Sequence, residues 1–434
     1  MLFKIERFNW TEEDPIDLFE IPSSTTSSNQ KIIKQPSNME KMAFRKLSEY
    51  SQLSEKEIQF NHRGLKTFTI PTINKFDPAT GKLKRVLKWN VLKGYQNYTR
   101  KTFAPDESRL TTFLATLIHY EFTEKKDTSE YPVIALVSLF RDLALHNVQS
   151  YDVVRFEGQW YFSSRDLREK DLLQYAYIGI RFEDMLTQGG DEKPTMNNFA
   201  HYKCMTSLRL PGGLNTITIS EIDCLEESKA RQKFAGFTEV KLCYIESIPS
   251  VFPVTDAEDF LDFLDDNKRD FLWVLVKWTI QCIFSNCHNL LIGIRNKDFN
   301  IVTMKLFSIK EDILPYLKRV SPDKYYKQVI ESPVRVDEMM HRLLRYIDAG
   351  DENIYRMDIS PAGIKLTEIA DEEEQNKIFY SVITQEYVDW KIEGEISEEL
   401  KNGHYTYRYD PMKIKKALGE DSLNTSMGSL NIRA

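Results

Sequence analysis

Four charged residues in the stretch 215–243, NTITISEIDCLEESKARQKFAGFTEVKLC, have types and spacing suited to phosphoryl chemistry: Glu221, Asp223, Glu239 and Lys241. Side chains alternate along a strand with period two. In a first strand Ile217, Ile219, Glu221 and Asp223 therefore share a face. In a second, Phe237, Glu239 and Lys241 share one face, while Val240, Leu242 and Tyr244 take the other. Lys229, Arg231, Gln232, Lys233 and Gly236 lie between and suit an exposed hairpin connection. If the two strands pair, three carboxylates converge with Lys241 at their edge. Carboxylates that close repel one another unless a cation neutralises them. Hard oxygen ligands favour Mg²⁺ or Mn²⁺. The lysine then orients a water or stabilises charge on a transferring phosphoryl group. The competing reading of the same residues is two amphipathic strands with their charges facing solvent.

The elements that must position these residues are legible on either side. Residues 108–122 carry apolar residues at helical spacing and read as a packed helix. In 131–146, YPVIALVSLFRDLALH, Arg141 interrupts an apolar stretch. It needs an anionic partner if buried, or it snorkels to the surface. Residues 151–162 read as two short strands around Glu157-Gly158. In 174–190 Gly179 precedes or opens a helix ending near Gly189-Gly190, with Ile180 and Met185 inward and Glu183 on an adjoining stripe. Residues 246–268 are acidic. Thr255 and Glu258 form a capping box ahead of a short amphipathic helix in an insertion. The next helix, 270–285, is apolar on nearly every side and is expected to be buried, with Lys277 and Gln281 on its one polar stripe. The acidic hairpin is a candidate partner for that stripe. Residues 289–296 and 299–308 form a hairpin around Lys297-Asp298, and Val336 to Ile347 carries an ordinary core-facing stripe.

Composition bounds the function. The 434-residue chain is 41% hydrophobic, ample for a sizeable core. Its net charge of −7 means that any nucleic-acid binding uses a local basic groove. Lys82, Lys84, Arg85, Lys88 and Lys93 make one basic patch, which reads as a solvated strand face before it reads as an RNA contact. The five cysteines form no C-x-x-C pair, which indicates free thiols in a reducing compartment. The scattered histidines give no zinc signature. The N-terminus lacks the uninterrupted apolar core of a signal peptide, and the most apolar run, 271–284, is too short to span a bilayer. An intracellular protein with no membrane span is expected. Residues 1–40, with the polar run 21–40, read as a partly mobile segment. Residues 41–419 read as one catalytic domain carrying the acidic insertion at 246–268, and 420–434 as a disordered tail.

Several short motifs, in order, resemble the decapping exoribonucleases called DXO and their fungal relatives that bind the nuclear 5′–3′ exoribonuclease, within the PD-(D/E)xK nuclease superfamily. They are Arg141 after an apolar strand, Gly179-Ile180-Arg181-Phe182-Glu183, Glu221-Ile222-Asp223, Glu239-Val240-Lys241, and Lys277-Trp278-Thr279-Ile280-Gln281 followed by Gly293-Ile294-Arg295. The upstream LKGYQNYTRK also resembles a family segment. The likeness covers roughly residues 85–310.

The resemblance implies an α/β fold: a central mixed β-sheet flanked by helices, an active-site hairpin and a deep pocket. It implies hydrolysis at the 5′ end of RNA with two divalent ions, Mg²⁺ or Mn²⁺. By that likeness Glu183, Asp223, Glu239 and the backbone carbonyl of Val240 bind metal directly, and Glu221 binds through water. Lys241 acts in catalysis with Glu221 and Gln281, while Arg141, Lys241 and Gln281 hold the RNA 5′ end. It further implies a possible nuclear exoribonuclease partner and a nuclear or cytoplasmic location. Two alternatives stand beside it, a DNA nuclease of the same superfamily and a non-catalytic stimulator of a partner exoribonuclease. One departure is visible. Asp142 follows Arg141 where the family commonly has glycine, placing an anion beside the expected phosphate-binding arginine.

Overall fold

Two mixed β-sheets meet at Asp223. The computed structural model describes residues 42–54, 57–71, 74–77, 82–85, 89–98, 110–165, 173–187, 201–226, 236–246, 256–348 and 353–406. The segments expected to be mobile, 1–40 and 420–434, lie outside them. The larger sheet runs β16 (Gly363–Glu368), β15 (Ile354–Ser360), β7 (Gln149–Phe156), β8 (Gln159–Ser164), β6 (Val133–Leu136), β10 (Asn215–Ile222), β9 (His201–Arg209), β1 (Ala43–Gln52), β2 (Glu57–Gln59) and β17 (His404–Thr406). Within it β6 is parallel to both β8 and β10. The smaller sheet runs β14 (Ile301–Ser308), β13 (Asn289–Arg295), β12 (Phe237–Tyr244), β11 (Cys224–Glu226) and β3 (Thr67–Phe68), and is parallel at β12–β13 and β11–β3. A separate ribbon pairs β4 (Asn74–Asp77) with β5 (Lys82–Arg85).

Both faces of the large sheet are covered at its centre, so consecutive residues of β6 and β10 are buried and not only alternate ones. In β6, Val133 and Ala135 enter one core while Ile134 enters the other. The first core receives α2 (Ser138–Leu145), α5 (Phe271–Phe284) and α7 (Lys327–Asp348) through Phe140, Leu275, Ile280, Val336 and Met340. The second receives α1 (Thr111–Glu124), α8 (Glu372–Val382) and α9 (Gln385–Glu393) through Phe113, Leu117, Ile378 and Tyr387. A third core lies between the small sheet and α3 (Leu173–Thr187), where Ile178, Phe182 and Met185 meet Val240 and Leu291.

Most local expectations hold. The helix read at 108–122 is α1, and the buried apolar helix is α5. The turn at Glu157-Gly158 has left-handed φ at both residues, 49° and 78°, as a two-residue hairpin requires. The Lys297-Asp298 turn is held by the Asn296 side chain, which accepts from the N–H groups of Asp298 and Asn300.

Three expectations are corrected. The strand bearing Glu221 does not pair with the strand bearing Glu239. β10 stays in the large sheet, because Ile217 and Ile219 are buried in its second core, and the chain changes sheet at Asp223. The antiparallel partner of β12 is the short β11, in register Cys224 to Thr238 and Leu225 to Phe237. Next, Gly179 lies inside α3 rather than at its start, and Ile180 is only half-buried, because Ile178 and Phe182 take the inward stripe. Finally, the helix of the acidic insertion, α4 (Ala257–Asn267), is capped by Asp256, which accepts from the N–H of Asp259. Thr255 lies outside the described residues. α4 is docked on the body of the protein. Phe260, Leu261 and Leu264 are fully buried, and Arg319 holds Glu258 at 2.6 Å and Asp262 at 2.8 Å.

Candidate active site

β11 pairs with only the first residues of β12, so beyond Thr238 the edge of β12 turns from β11 to the junction at Asp223. Asp223 caps that edge, its Oδ2 accepting from the Val240 N–H at 2.8 Å. The N–H and C=O of one strand residue point to the same side of the strand, so the Val240 carbonyl faces this edge too. Glu239 and Lys241 leave the opposite face of β12 from Val240 and touch each other through Lys241 Nζ and Glu239 Oε1. Gln281 of α5 donates to the same Oε1 at 2.6 Å. The polar stripe of α5 thus finds its partner in the acidic strand, as expected for Gln281. Lys277 instead lies 5.1 Å over the Trp273 ring.

Glu183 arrives on α3, and its position is set by a glycine. A Cβ at Gly293 would stand 2.4 Å from Cζ of Phe182 and 3.0 Å from Leu242 Cδ1. Only glycine lets α3 lie this close across β13, one residue from Glu183. We expect Gly293→Ala to overpack this core and to destabilise the protein by about 1–3 kcal/mol. A denaturant-unfolding curve measures it, and a shift near zero would refute the packing argument.

The electrostatics are those of crowded carboxylates. Burial first, then the charge of Glu221, with Glu239 adding to it, pushes the Glu183 carboxyl up to about 7 against the pull of Lys241. Burial, Glu239 and Glu183 push Asp223 well above the usual carboxylate range. Burial pulls the Lys241 ammonium down, but Glu239 and Asp223 outweigh it and hold the lysine charged. The unfolded Glu183 carboxyl titrates near 4.5, so the folded chain holds a proton there that the unfolded chain loses. That contribution to stability is fully present below about 4.5 and is lost as pH rises through about 7. In chelator, the melting temperature should therefore fall with rising pH more steeply than it does in Glu183→Gln. Parallel pH profiles for the two proteins would sink this prediction.

Among the described residues no three His, Cys, Asp or Glu side chains are drawn together as a finished metal cage. Their bonds explain why. Glu239 is turned to Lys241 and Gln281, and Asp223 to Val240. These bonds fall on one oxygen of each carboxylate and leave Glu239 Oε2, Asp223 Oδ1 and the Glu183 carboxylate for a cation. The set is all hard oxygen, and its repulsion is relieved by positive charge, so the donors fit Mg²⁺ or Mn²⁺.

Glu221 is the most exposed of the acidic residues. It sits opposite Lys203 across β9–β10 and pairs with His201 Nδ1 at 2.7 Å. Neither His201 nor Lys203 stood out in the sequence, since only the pairing of β9 brings them there. Arg141 is carried by α2. Its Nε and one Nη donate to Asp142 Oδ1 at 3.0 and 2.9 Å. Asp142 is buried and also accepts from Asn147 and Tyr151, at 2.8 Å each. The anionic partner that an inward arginine needs is thus its own neighbour in sequence.

A family model described as RAI1-like PD-(D/E)XK nuclease matches residues 45–388, and the chain belongs to this family. Solved structures share the fold at low identity. One is Candida albicans Rai1 in complex with pU5-Mn²⁺: 16% identical, TM-score 0.59, covering 81% of this chain and 96% of that one. Another is Scheffersomyces stipitis Rai1 with (3′-NADP)⁺ and a calcium ion: 15% identical, TM-score 0.60, covering 81% and 94%. A third is Schizosaccharomyces pombe Rai1: 13% identical, TM-score 0.56, covering 77% and 96%. No curated protein matches the sequence. No helix among the described residues is long and apolar enough to cross a membrane.

Proposed function

We propose that the chain hydrolyses the 5′ ends of RNA with a divalent metal ion, removing pyrophosphate from 5′-triphosphate ends, or incomplete or NAD caps, or trimming RNA from the 5′ end. One observation carries the reading. Glu239, bonded to Lys241 and Gln281, stands at the strand edge that Asp223 caps, within the field of Glu183. A scaffold has no use for repelling carboxylates crowded around a charged lysine. The pU5-Mn²⁺ of the Candida relative is in keeping with the proposal.

In this reading Glu183, Asp223, Glu239 and the Val240 carbonyl hold the metal, with Glu221 reaching it through water. When bound, the cation neutralises the site toward an anionic phosphate and makes water a better nucleophile. Lys241 stays protonated and offsets charge that develops at phosphorus. Gln281 orients Glu239 and supports the substrate. Arg141 spends two of its donors on Asp142 and keeps the other three for a terminal phosphate. We assign the protein to nuclear RNA 5′-end quality control, with a nuclear 5′–3′ exoribonuclease as candidate partner.

Product analysis on triphosphate-, cap-, NAD- and monophosphate-ended RNAs, with Mg²⁺ or Mn²⁺ and with chelator, tests the proposal. Hydrolysis of no RNA end under any metal condition would overturn it. The Arg141→Ala variant should lose about tenfold or more in kcat/KM on phosphorylated or capped ends, and less on 5′-hydroxyl ends. An equal loss on every end would make Arg141 structural.

A further inference from the structure

The carboxylate site continues into an aromatic strip whose residues carry no part of the chemistry above. Tyr175, Gly179 and Glu183 are spaced four apart and so follow one side of α3. Tyr175 is 64% exposed, and a Cβ built on Gly179 would meet nothing within 4 Å. A helix gains from alanine over glycine at such a position, so the bare backbone here is not explained by packing. Phe182 lies over Gly293, while the Tyr177 hydroxyl reaches the Lys93 carbonyl in the segment whose Val91 N–H bonds the Phe299 carbonyl, beyond the end of β13 at Arg295, and the charge of Arg295 feels Tyr175. α3 therefore runs antiparallel to β12 and β13.

Arg295 pairs in register with Tyr244 at the end of β12. Its guanidinium is stacked between the rings of Tyr244, at 4.8 Å, and Phe299, at 4.7 Å. Among the described residues no carboxylate lies within ion-pair distance of it. Tyr244 is 39% exposed, unusual for a large side chain at the end of a buried strand. Tyr244 is on the face of β12 that α3 covers, the face of Val240 and opposite to Glu239 and Lys241, about 13 Å along the strand from Val240, and Tyr175 is about 12 Å along the helix from Glu183. Both rings thus lie at the same end, beyond the carboxylates. The platform is braced, because the Tyr177 hydroxyl donates to the Lys93 carbonyl and its ring packs edge-on against Tyr95 and Tyr98.

We propose that Tyr175 and Tyr244, with Arg295 behind them and the bare Gly179 between Tyr175 and the carboxylates, form a stacking track for the bases of single-stranded RNA downstream of the 5′ end. Exposed aromatic rings beside an arginine bind unpaired bases by stacking, with little regard to sequence. The strip joins the site through Glu183, on the same side of α3, and along the Val240 edge of β12, and that continuity selects RNA over a protein partner as its occupant. The inference rests on the RNA reading of the site and adds where the strand goes once its end is bound.

Binding tests it apart from hydrolysis. Fluorescence anisotropy in Ca²⁺ compares an oligouridylate of about ten nucleotides with an abasic strand of equal length. The wild-type protein should bind the base-bearing strand about tenfold or more tightly. Tyr175→Ala and Tyr244→Ala should each lose most of that advantage, while Tyr175→Phe and Tyr244→Phe, which keep the rings, should retain it. Equal binding of the two strands by wild type, or an advantage that survives both alanine substitutions, would overturn the track. Base-dependent binding by a protein that cleaves no RNA end would support the track and overturn the proposed hydrolysis, so the two ideas fail separately.

Discussion

Asp223→Ala and Glu239→Ala should each lower turnover on RNA 5′ ends by about a thousandfold or more, which is a loss of about 4 kcal/mol at the transition state. Each removes charge from the one place where a cation can neutralise the cluster. The two differ in what else they break. Asp223→Ala leaves the Val240 N–H without its acceptor. Glu239→Ala leaves Lys241 and Gln281 facing each other across the gap where Oε1 stood. Either loss costs about 1–3 kcal/mol of stability, so the variants should melt earlier yet remain folded. Asp223→Asn separates the effects, since the amide oxygen still accepts from Val240 while the negative charge is gone. Turnover with Mn²⁺ and a circular-dichroism melt read both quantities. A folded alanine variant with near-normal rates on every RNA end would remove the acidic edge from the mechanism.

Lys241→Ala should separate hydrolysis from any effect on a partner nuclease. Lys241 shares a strand face with Glu239 and is held charged by it and by Asp223. An ammonium there is useful to a reacting phosphoryl group and of little use to a distant protein surface. Hydrolysis should fall by about 10²–10³-fold, the usual scale for losing one charge-stabilising donor. The fold should survive, because Gln281 still holds Glu239. Stimulation of a 5′–3′ exoribonuclease on monophosphate RNA, which needs no end conversion, should be unchanged. Hydrolysis that persists while stimulation collapses would assign Lys241 to an interface. If the unmutated protein gives no stimulation, the partner assignment falls and a stand-alone RNA-end enzyme remains.

The sequence by itself determined the local chemistry and most of the elements. Period two along β12 put Glu239 and Lys241 on one face. The apolar surround of α5 marked it as buried and left Gln281 on its polar stripe. Both follow from local backbone geometry, which needs no knowledge of distant residues. The tertiary structure alone decided how these pieces meet. Glu221 and Glu239 looked like two arms of one hairpin, but Ile217 and Ile219 hold β10 in the large sheet, so the acidic residues converge across a junction of two sheets. Glu183 stands far from Glu239 in sequence and is delivered by the fit of Phe182 over Gly293. No spacing rule encodes that contact. The same is true of Arg141. The sequence placed Asp142 beside it, but adjacency on a helix does not decide direction. Burial of Asp142 among Tyr151 and Asn147 is what turns the carboxylate to meet the guanidinium, because a charge taken out of water must be met by every donor within reach.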